Sequence, residues 1–517
     1  MSVRDGSSTR QEWIAGQFDL LVKRLHTEVP PDAEKKESPM KKIPLEGLKR
    51  FRERTRVVLA GRDPEDSYGF VNPPIVRGST VVYQSLDAFQ QRKARYMYGT
   101  MGNPTLDALE MACNTMEGGA GVVVLPSGLL ACTFPLLVAL SAGDHMLVTD
   151  SVYRPTRNFC EGMLKRMGIE VTYFDPLIGK DIETLFKPNT KVVFTEAPGS
   201  QTFEMQDIPA ICKAAHKHGA LVIMDNTWAT PLFFDSHAAG VDLSIQAGTK
   251  YYAGHSDVLI GTVSARTPEL YRQLRKAWEE LGVIVAPEDA FLTLRGIRTM
   301  PLRLKEQEKA GIEIAKWLQK RSEVKQVLHP ALKDDLGHKI WKRDFTGASS
   351  LFSIVLHPVP HKALAALVDH LALFGMGASW GGYESLVLPF DCSTYRSVTT
   401  WEPGGPCIRV HVGLEDVEDL KEDLDEGFKR MKAANVTSRI SNAERTKKIM
   451  VSDEQHAPGW DSKVISRIAE EHFGGYNAMF EKHGWKERGS KMMLKVQARV
   501  KETYGSVEAF AKNFSVK

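Results

Sequence analysis

Apolar residues fall into a repeating pattern between about Ala120 and Gly261. Short apolar runs, GVVVL, HMLVTD, EVTYFD, KVVFTE, ALVIMD and LSIQ, alternate with segments whose apolar positions recur at helical spacing, such as Ile208, Ile211, Cys212 and Ala215. Strand, helix and strand in succession predict an open, mostly parallel sheet. The longest apolar stretch, Ala120 to Ala142, has the length of a membrane span, but Pro126, Ser127, Gly128 and Pro135 interrupt it. It predicts a buried strand, a PSG turn and a buried helix instead. After about Arg298, GIEIAKWLQKR predicts an amphipathic helix, SSLFSIVLHP a strand, HKALAALVDHLALF a helix, CIRVHVG a strand and EDLKEDLDEGFKRMKAA a helix. Together these predict a second, smaller α/β domain. The first 44 residues mix charges with Pro30, Pro31 and the polar run DAEKKES, and read as an extension or linker. From Ser441 onward the chain is rich in Lys and Arg and carries two helical pieces, DSKVISRIAEEHF and SKMMLKVQARVKETY.

Composition narrows the class further. The 517 residues are 43% hydrophobic and 25% charged, ordinary globular proportions that set aside fibrous and wholly disordered chains. A net charge of +3 argues against a dedicated nucleic-acid or membrane-surface protein. Six scattered cysteines form no C-x-x-C pair, which suggests neither a zinc site nor a disulfide framework, and a reducing compartment is the expectation. The amino terminus is charged where a secretory signal would be apolar, so a soluble, cytoplasmic protein is expected.

Ligands of open parallel sheets gather at the carboxyl ends of the strands. Ser127, Tyr153, Asp225 and Lys250 all stand at or just after such ends. Lys250 follows small and hydroxyl residues in SIQAGTKYYAGHSDVLIG, and an amine that can lose its proton near neutrality is what an aldehyde cofactor requires. Alone, it reads more simply as a surface lysine. Asp225 ends ALVIMD, where a carboxylate can pair with a pyridine nitrogen, and equally can ligate a metal or cap a turn. His255, in YAGHSD, lacks partners at metal-ligand spacing and is expected to form structural hydrogen bonds; no metal is expected. EGGAG, at 117–121, precedes a strand and lacks dinucleotide-fingerprint spacing.

VVLPSGLLA, TDSVYRPTRNFC, VIMDNTWATP, QAGTKYYAGHSD, GASWGGYESL and CIRVHVGLEDVEDL, in this order, resemble the Cys/Met-metabolism pyridoxal phosphate enzymes, and within that family the bacterial cystathionine beta-lyases. The resemblance runs from about Ile43 to Met431. Several long motifs in sequence make it specific. It implies the α/β fold type I of aspartate aminotransferase-like enzymes: a large domain around a mostly parallel seven-stranded sheet, plus a smaller C-terminal α/β domain. The chain then divides into an N-terminal extension (1–44), an arm reaching the neighbouring subunit (45–105), a pyridoxal phosphate domain (106–297), a small domain (298–440) and a helical C-terminal extension of unassigned role (441–517).

By the same resemblance Lys250 holds the cofactor and shuttles protons, Asp225 pairs with its ring nitrogen, and Tyr153 stacks on the ring. Ser127, Gly128 and Leu129 form the phosphate-binding turn, to which Thr249 adds a hydroxyl. Arg409 grips the substrate carboxylate, its planar fork matching two oxygens. Ser379 and Trp380 belong to a substrate-facing loop, and Tyr98 reaches into the neighbouring subunit's site. The activity implied is beta-elimination of L-cystathionine, an amino-acid thioether, to homocysteine, pyruvate and ammonia, by a homotetramer built from dimers with shared sites. Rivals are a beta-lyase for cystine or another cysteine conjugate, a gamma-type relative, and a non-catalytic scaffold of the same fold. EAPGS, at 196–200, and SWGGYESL favour the beta-type. Two positions depart from the pattern. Thr100 stands where relatives carry a phosphate-binding arginine, with Arg95 a candidate replacement, and Ala247 stands where many carry serine.

Overall fold

The structure is a computed structural model that describes residues 45–451 and, beyond them, 465, 468–470, 479, 482–483, 499–504 and 510. The expected extension over 1–44, and most of both helical pieces expected after Ser441, lie outside the described residues. The chain divides into two compact units, Met1–Asn435 and Val436–Lys517. In the second, His483 Nε2 lies 2.7 Å from the Tyr504 hydroxyl, and the Tyr504 and Phe510 rings meet edge to face.

In the first unit, seven strands form the large sheet: β1 (Gly121–Leu125), β2 (His145–Thr149), β3 (Glu170–Phe174), β4 (Thr190–Glu196), β5 (Leu221–Asp225), β6 (Leu243–Gln246) and β7 (Gly261–Ala265). Their spatial order is β1-β7-β6-β5-β4-β2-β3, with only β7 running against its neighbours. Six of the seven coincide with the apolar runs. β7 reads GTVSA and has no apolar run, yet it is buried along its whole length, with Ser264 Oγ 2.9 Å from His237 Nε2. That hydrogen bond satisfies the Ser264 hydroxyl inside a buried strand, whereas the Thr262 hydroxyl is buried without a protein partner among the described residues.

Helices cover both faces. Helix α1 (Pro104–Glu117) starts where the Asn103 side chain accepts from the N–H groups of Thr105 and Leu106 at 3.0 and 3.1 Å. Helix α2 (Gly128–Ala139) starts where Ser127 Oγ accepts from Leu130 N at 3.1 Å. The second sheet holds β8 (Val324–Leu328), β9 (Leu351–Leu356), β10 (Gly375–Met376), β11 (Leu386–Phe390) and β12 (Cys407–His411) in the order β10-β11-β12-β9-β8.

The helix expected around 311–321 is the end of a much longer one, α3 (Pro287–Leu318). Its first half contributes Leu294, Ile297 and Met300 to the core around α1, and its second half contributes Ala310, Ile314 and Leu318 to the core under the second sheet. The division expected at 297/298 therefore falls inside one continuous helix. Asp150, just past β2, accepts from Arg157, Arg396 and the backbone of Ser397, Val398 and Thr399, which fastens the loop before β12 to the large sheet. Among the described residues no helix is long and apolar enough to cross a membrane.

Candidate active site

The carboxyl ends of the parallel strands open into a cavity of about 230 Å³. Ser127, Gly128, Leu129, Tyr153, Asp225, Thr249, Lys250, Trp380 and Arg409, all expected from the sequence to share one site, line it together. Ser379 joins them through Lys250, whose Nζ donates to Ser379 Oγ at 2.7 Å.

Each side chain is set by the element that ends beneath it. Lys250 follows β6 in a turn, with its amine 5.6 Å from the Trp380 ring centroid. Burial, reinforced by the Arg409 charge, lowers its pKa to about 8 against the pull of Asp225. Asp225 closes β5; Thr227 donates to its Oδ1 through both N–H (3.0 Å) and hydroxyl (2.5 Å), and the Cys132 thiol lies 3.5 Å from its Oδ2. Burial raises the Asp225 pKa, opposed by those hydrogen bonds and by Lys250.

Arg409, on β12, is buried, and burial brings its pKa down to about 10. Its Nη2 donates to the carbonyls of Ser379 (2.9 Å) and Gly377 (3.3 Å). At the opposite wall, the turn from β1 into α2 brings Gly128 so close to Ala247 that a Cβ at 128 would lie 2.6 Å from the Cβ of 247. Gly128 and Leu129 open α2 at this turn, where a helix leaves its first N–H groups without intrahelical partners, and Leu130 N is capped by Ser127. Thr249 lines the same wall, but its hydroxyl donates to Ile260 O at 3.1 Å and accepts from Ile260 N at 2.9 Å.

Glu196 also lines the cavity and was not among the residues expected there. It ends β4 as Asp225 ends β5, and the two are cross-strand neighbours. Its Oε2 accepts from Tyr153 N at 2.7 Å, fixing the backbone that carries the half-exposed Tyr153 ring. Burial and the Asp225 charge raise its pKa well above the carboxylate range. The strand-end rule that picked Asp225 applies equally to the last residue of KVVFTE. Cys132 and Trp228, also in the lining, carry no comparable signal.

Tyr98 does not line this cavity. It stands half-exposed on a stretch without strands that also exposes Tyr68, Phe70, Val82, Leu86 and Phe89. Arg95 pairs with Asp66 and Asp107 at 3.2 and 3.0 Å. His255 Nδ1 lies 2.7 Å from Ala253 O.

Comparison with known proteins matches residues 54–429 to the family model "Cys/Met metabolism PLP-dependent enzyme". A putative cystathionine beta-lyase of Rhizobium johnstonii is 53% identical over 378 residues, covering 72% of this chain and 95% of the relative. An L-alanine/L-glutamate racemase of a Wolbachia pipientis strain is 40% identical over 401 residues, covering 74% of this chain and 99% of the relative. Among solved structures, cystathionine gamma synthase from Xanthomonas oryzae pv. oryzae superposes with a TM-score of 0.69 at 33% identity, over 74% of this chain and 99% of that one.

Proposed function

Because the chain belongs to the Cys/Met metabolism PLP-dependent enzyme family, we propose that it is a carbon–sulfur beta-lyase that cleaves L-cystathionine to homocysteine, pyruvate and ammonia. The observation that carries this reading is the single cavity in which Lys250, with its pKa at about 8 and its amine held by Ser379, shares the lining with Asp225 and Arg409.

The residues present fit pyridoxal phosphate. A helix N-terminus opens on the cavity beside a glycine with no room for a Cβ, an arrangement suited to a phosphate, and a strand-end carboxylate in the same lining could pair with a pyridine nitrogen. Gly128 and Leu129 would meet the phosphate with backbone N–H groups, and Thr249 would join them by exchanging its bond to Ile260. Asp225 would pair with the ring nitrogen and Tyr153 would cover the ring. When bound, the cofactor supplies an electron sink for the pair left at the substrate's alpha carbon.

The chain's own groups do the rest. Arg409 binds the alpha-carboxylate and fixes the substrate's orientation. Lys250 Nζ, a fraction of it unprotonated near neutrality, takes the alpha proton as general base. Ser379 holds that amine in line, and Tyr98 of the partner subunit orients it from across a shared interface. The exposed apolar side chains of the arm support a dimer, assembled in turn into a tetramer. Six buried, unpaired cysteines support a cytoplasmic, reducing setting.

Product analysis with L-cystathionine tests the reading. Homocysteine with pyruvate is the expected outcome. Cysteine with 2-oxobutyrate would transfer the protein to the gamma-eliminating enzymes, and racemisation of L-alanine without pyruvate release would make it an amino-acid racemase.

A further inference from the structure

Ser379 and Trp380 belong to a segment, 377–382, that is neither helix nor strand, yet it must hold a hydroxyl within 2.7 Å of the Lys250 amine. Its backbone is gripped from three sides. Arg409 Nη2 donates to Ser379 O and Gly377 O. The Gly381 N–H donates to His411 Nε2 at 3.1 Å, and Gln307 Nε2 donates to Gly382 O at 2.7 Å. His411 and Gln307 are fully buried. The segment has no slack on its fourth side: Gly381 adopts φ +84°, and a Cβ there would lie 2.9 Å from the Cβ of Lys250.

Hydrogen-bond bookkeeping assigns the state of the imidazole. A backbone N–H is only a donor, so His411 Nε2 must present a lone pair, and the ring proton then sits on Nδ1. Nδ1 lies 3.2 Å from Ser350 Oγ, whose own proton goes to Val412 O at 2.6 Å. Gly382 O is 3.2 Å from Nε2, and Gln307 supplies the donor that this nitrogen lacks. Burial pushes the His411 pKa down to about 3, so the ring keeps its lone pair throughout the range in which a lysine base works.

We propose that His411, seconded by Gln307, is a positioning residue that acts through the 377–382 segment to hold the Ser379 hydroxyl on Lys250. Neither residue lines the cavity, and both act on the reaction only through the segment they grip. The inference rests on the reading of Lys250 as the reacting amine, and its test separates the two.

His411→Leu removes the acceptor at similar bulk, whereas His411→Gln keeps an acceptor, Oε1, near the position of Nε2. Each is made in the wild-type and Ser379→Ala holoenzymes, following pyruvate release from L-cystathionine, thermal unfolding, and the pH at which the visible band of the lysine-bound cofactor changes. His411→Leu is expected to lower kcat/KM by about 10- to 100-fold, mostly in kcat, as misplacement of a positioned group does. In the Ser379→Ala background the same change is expected to cost less than about twofold. His411→Gln should recover most of the loss, and His411→Leu should move the spectral transition in the same direction as Ser379→Ala. Gln307→Met, which removes the second anchor, gives the same pattern more weakly and serves if His411→Leu does not fold. Equal losses in both backgrounds with an unmoved spectral transition would overturn the inference while leaving the lyase reading intact. Full activity in Lys250→Ala would overturn both.

Discussion

A lysine whose pKa sits at about 8 is a poor contributor to stability at neutral pH. Between about pH 8 and the ordinary 10.5, the unfolded chain keeps a proton on Lys250 that the folded chain has released. Stability therefore rises with pH through that window and is lowest below it, where an amine withdrawn from water must carry its charge. Lys250→Met keeps the length and removes the charge. In the cofactor-free protein the methionine variant is expected to have the higher urea midpoint at pH 7, with the gap closing towards pH 10.5. A gap that does not vary with pH would mean that Lys250 titrates as an ordinary lysine. Asp225 was legible because it ends a recognisable strand signal and Lys250 because it closely follows one, and the signal that ends at Glu196 was open to the same reading. His411 and Gln307 were not legible. Their importance lies in which backbone groups they reach, 30 residues and 75 residues away in sequence, and no local pattern encodes that.

At the scale of elements, the junctions between strand and helix set the site. The turn from β1 into α2 and the turn after β6 meet at Gly128 and Ala247, and a methyl group at 128 would collide with the one already at 247. Gly128→Ala is therefore expected to destabilise the fold by about 1–3 kcal/mol, the usual cost of overpacking, although alanine is the better helix former. Ala247→Gly in the same chain should restore most of that loss, because it vacates the space the new methyl needs. Urea midpoints of the two single variants and the double variant check this; independent, additive losses would show that the junction relaxes without strain. Mainly apolar runs made β1 to β6 readable, whereas β7 was hidden because Thr262 and Ser264 interrupt its apolar positions, and the partner that lets Ser264 be buried, His237, is distant in sequence. The length of α3 was hidden because it serves two cores in turn, so no single apolar stripe runs along it.

On the scale of the whole molecule, the stretch around Tyr98 is the part of the first unit least explained by one copy of the chain. Tyr68 is 90% exposed and Val82 88%, on a segment with few regular elements of its own. A soluble protein rarely leaves so many large apolar side chains together in water. A second copy of the chain would bury them, and closed two-fold symmetry would then carry Tyr98 of each subunit towards the site of the other. Shared sites have a consequence that separate sites lack. On that reading Tyr98→Ala and Lys250→Ala would each inactivate every site of their own homodimers. In a mixed dimer, one site would receive Lys250 from the first chain and Tyr98 from the second, and be intact; the other would lack both. Random association makes about half of the dimers mixed, so co-expressed variants should regain about one quarter of wild-type pyruvate release. Sites built within single chains would give no recovery at any ratio of the two variants, and the activity of the mixture would stay at that of the inactive parents.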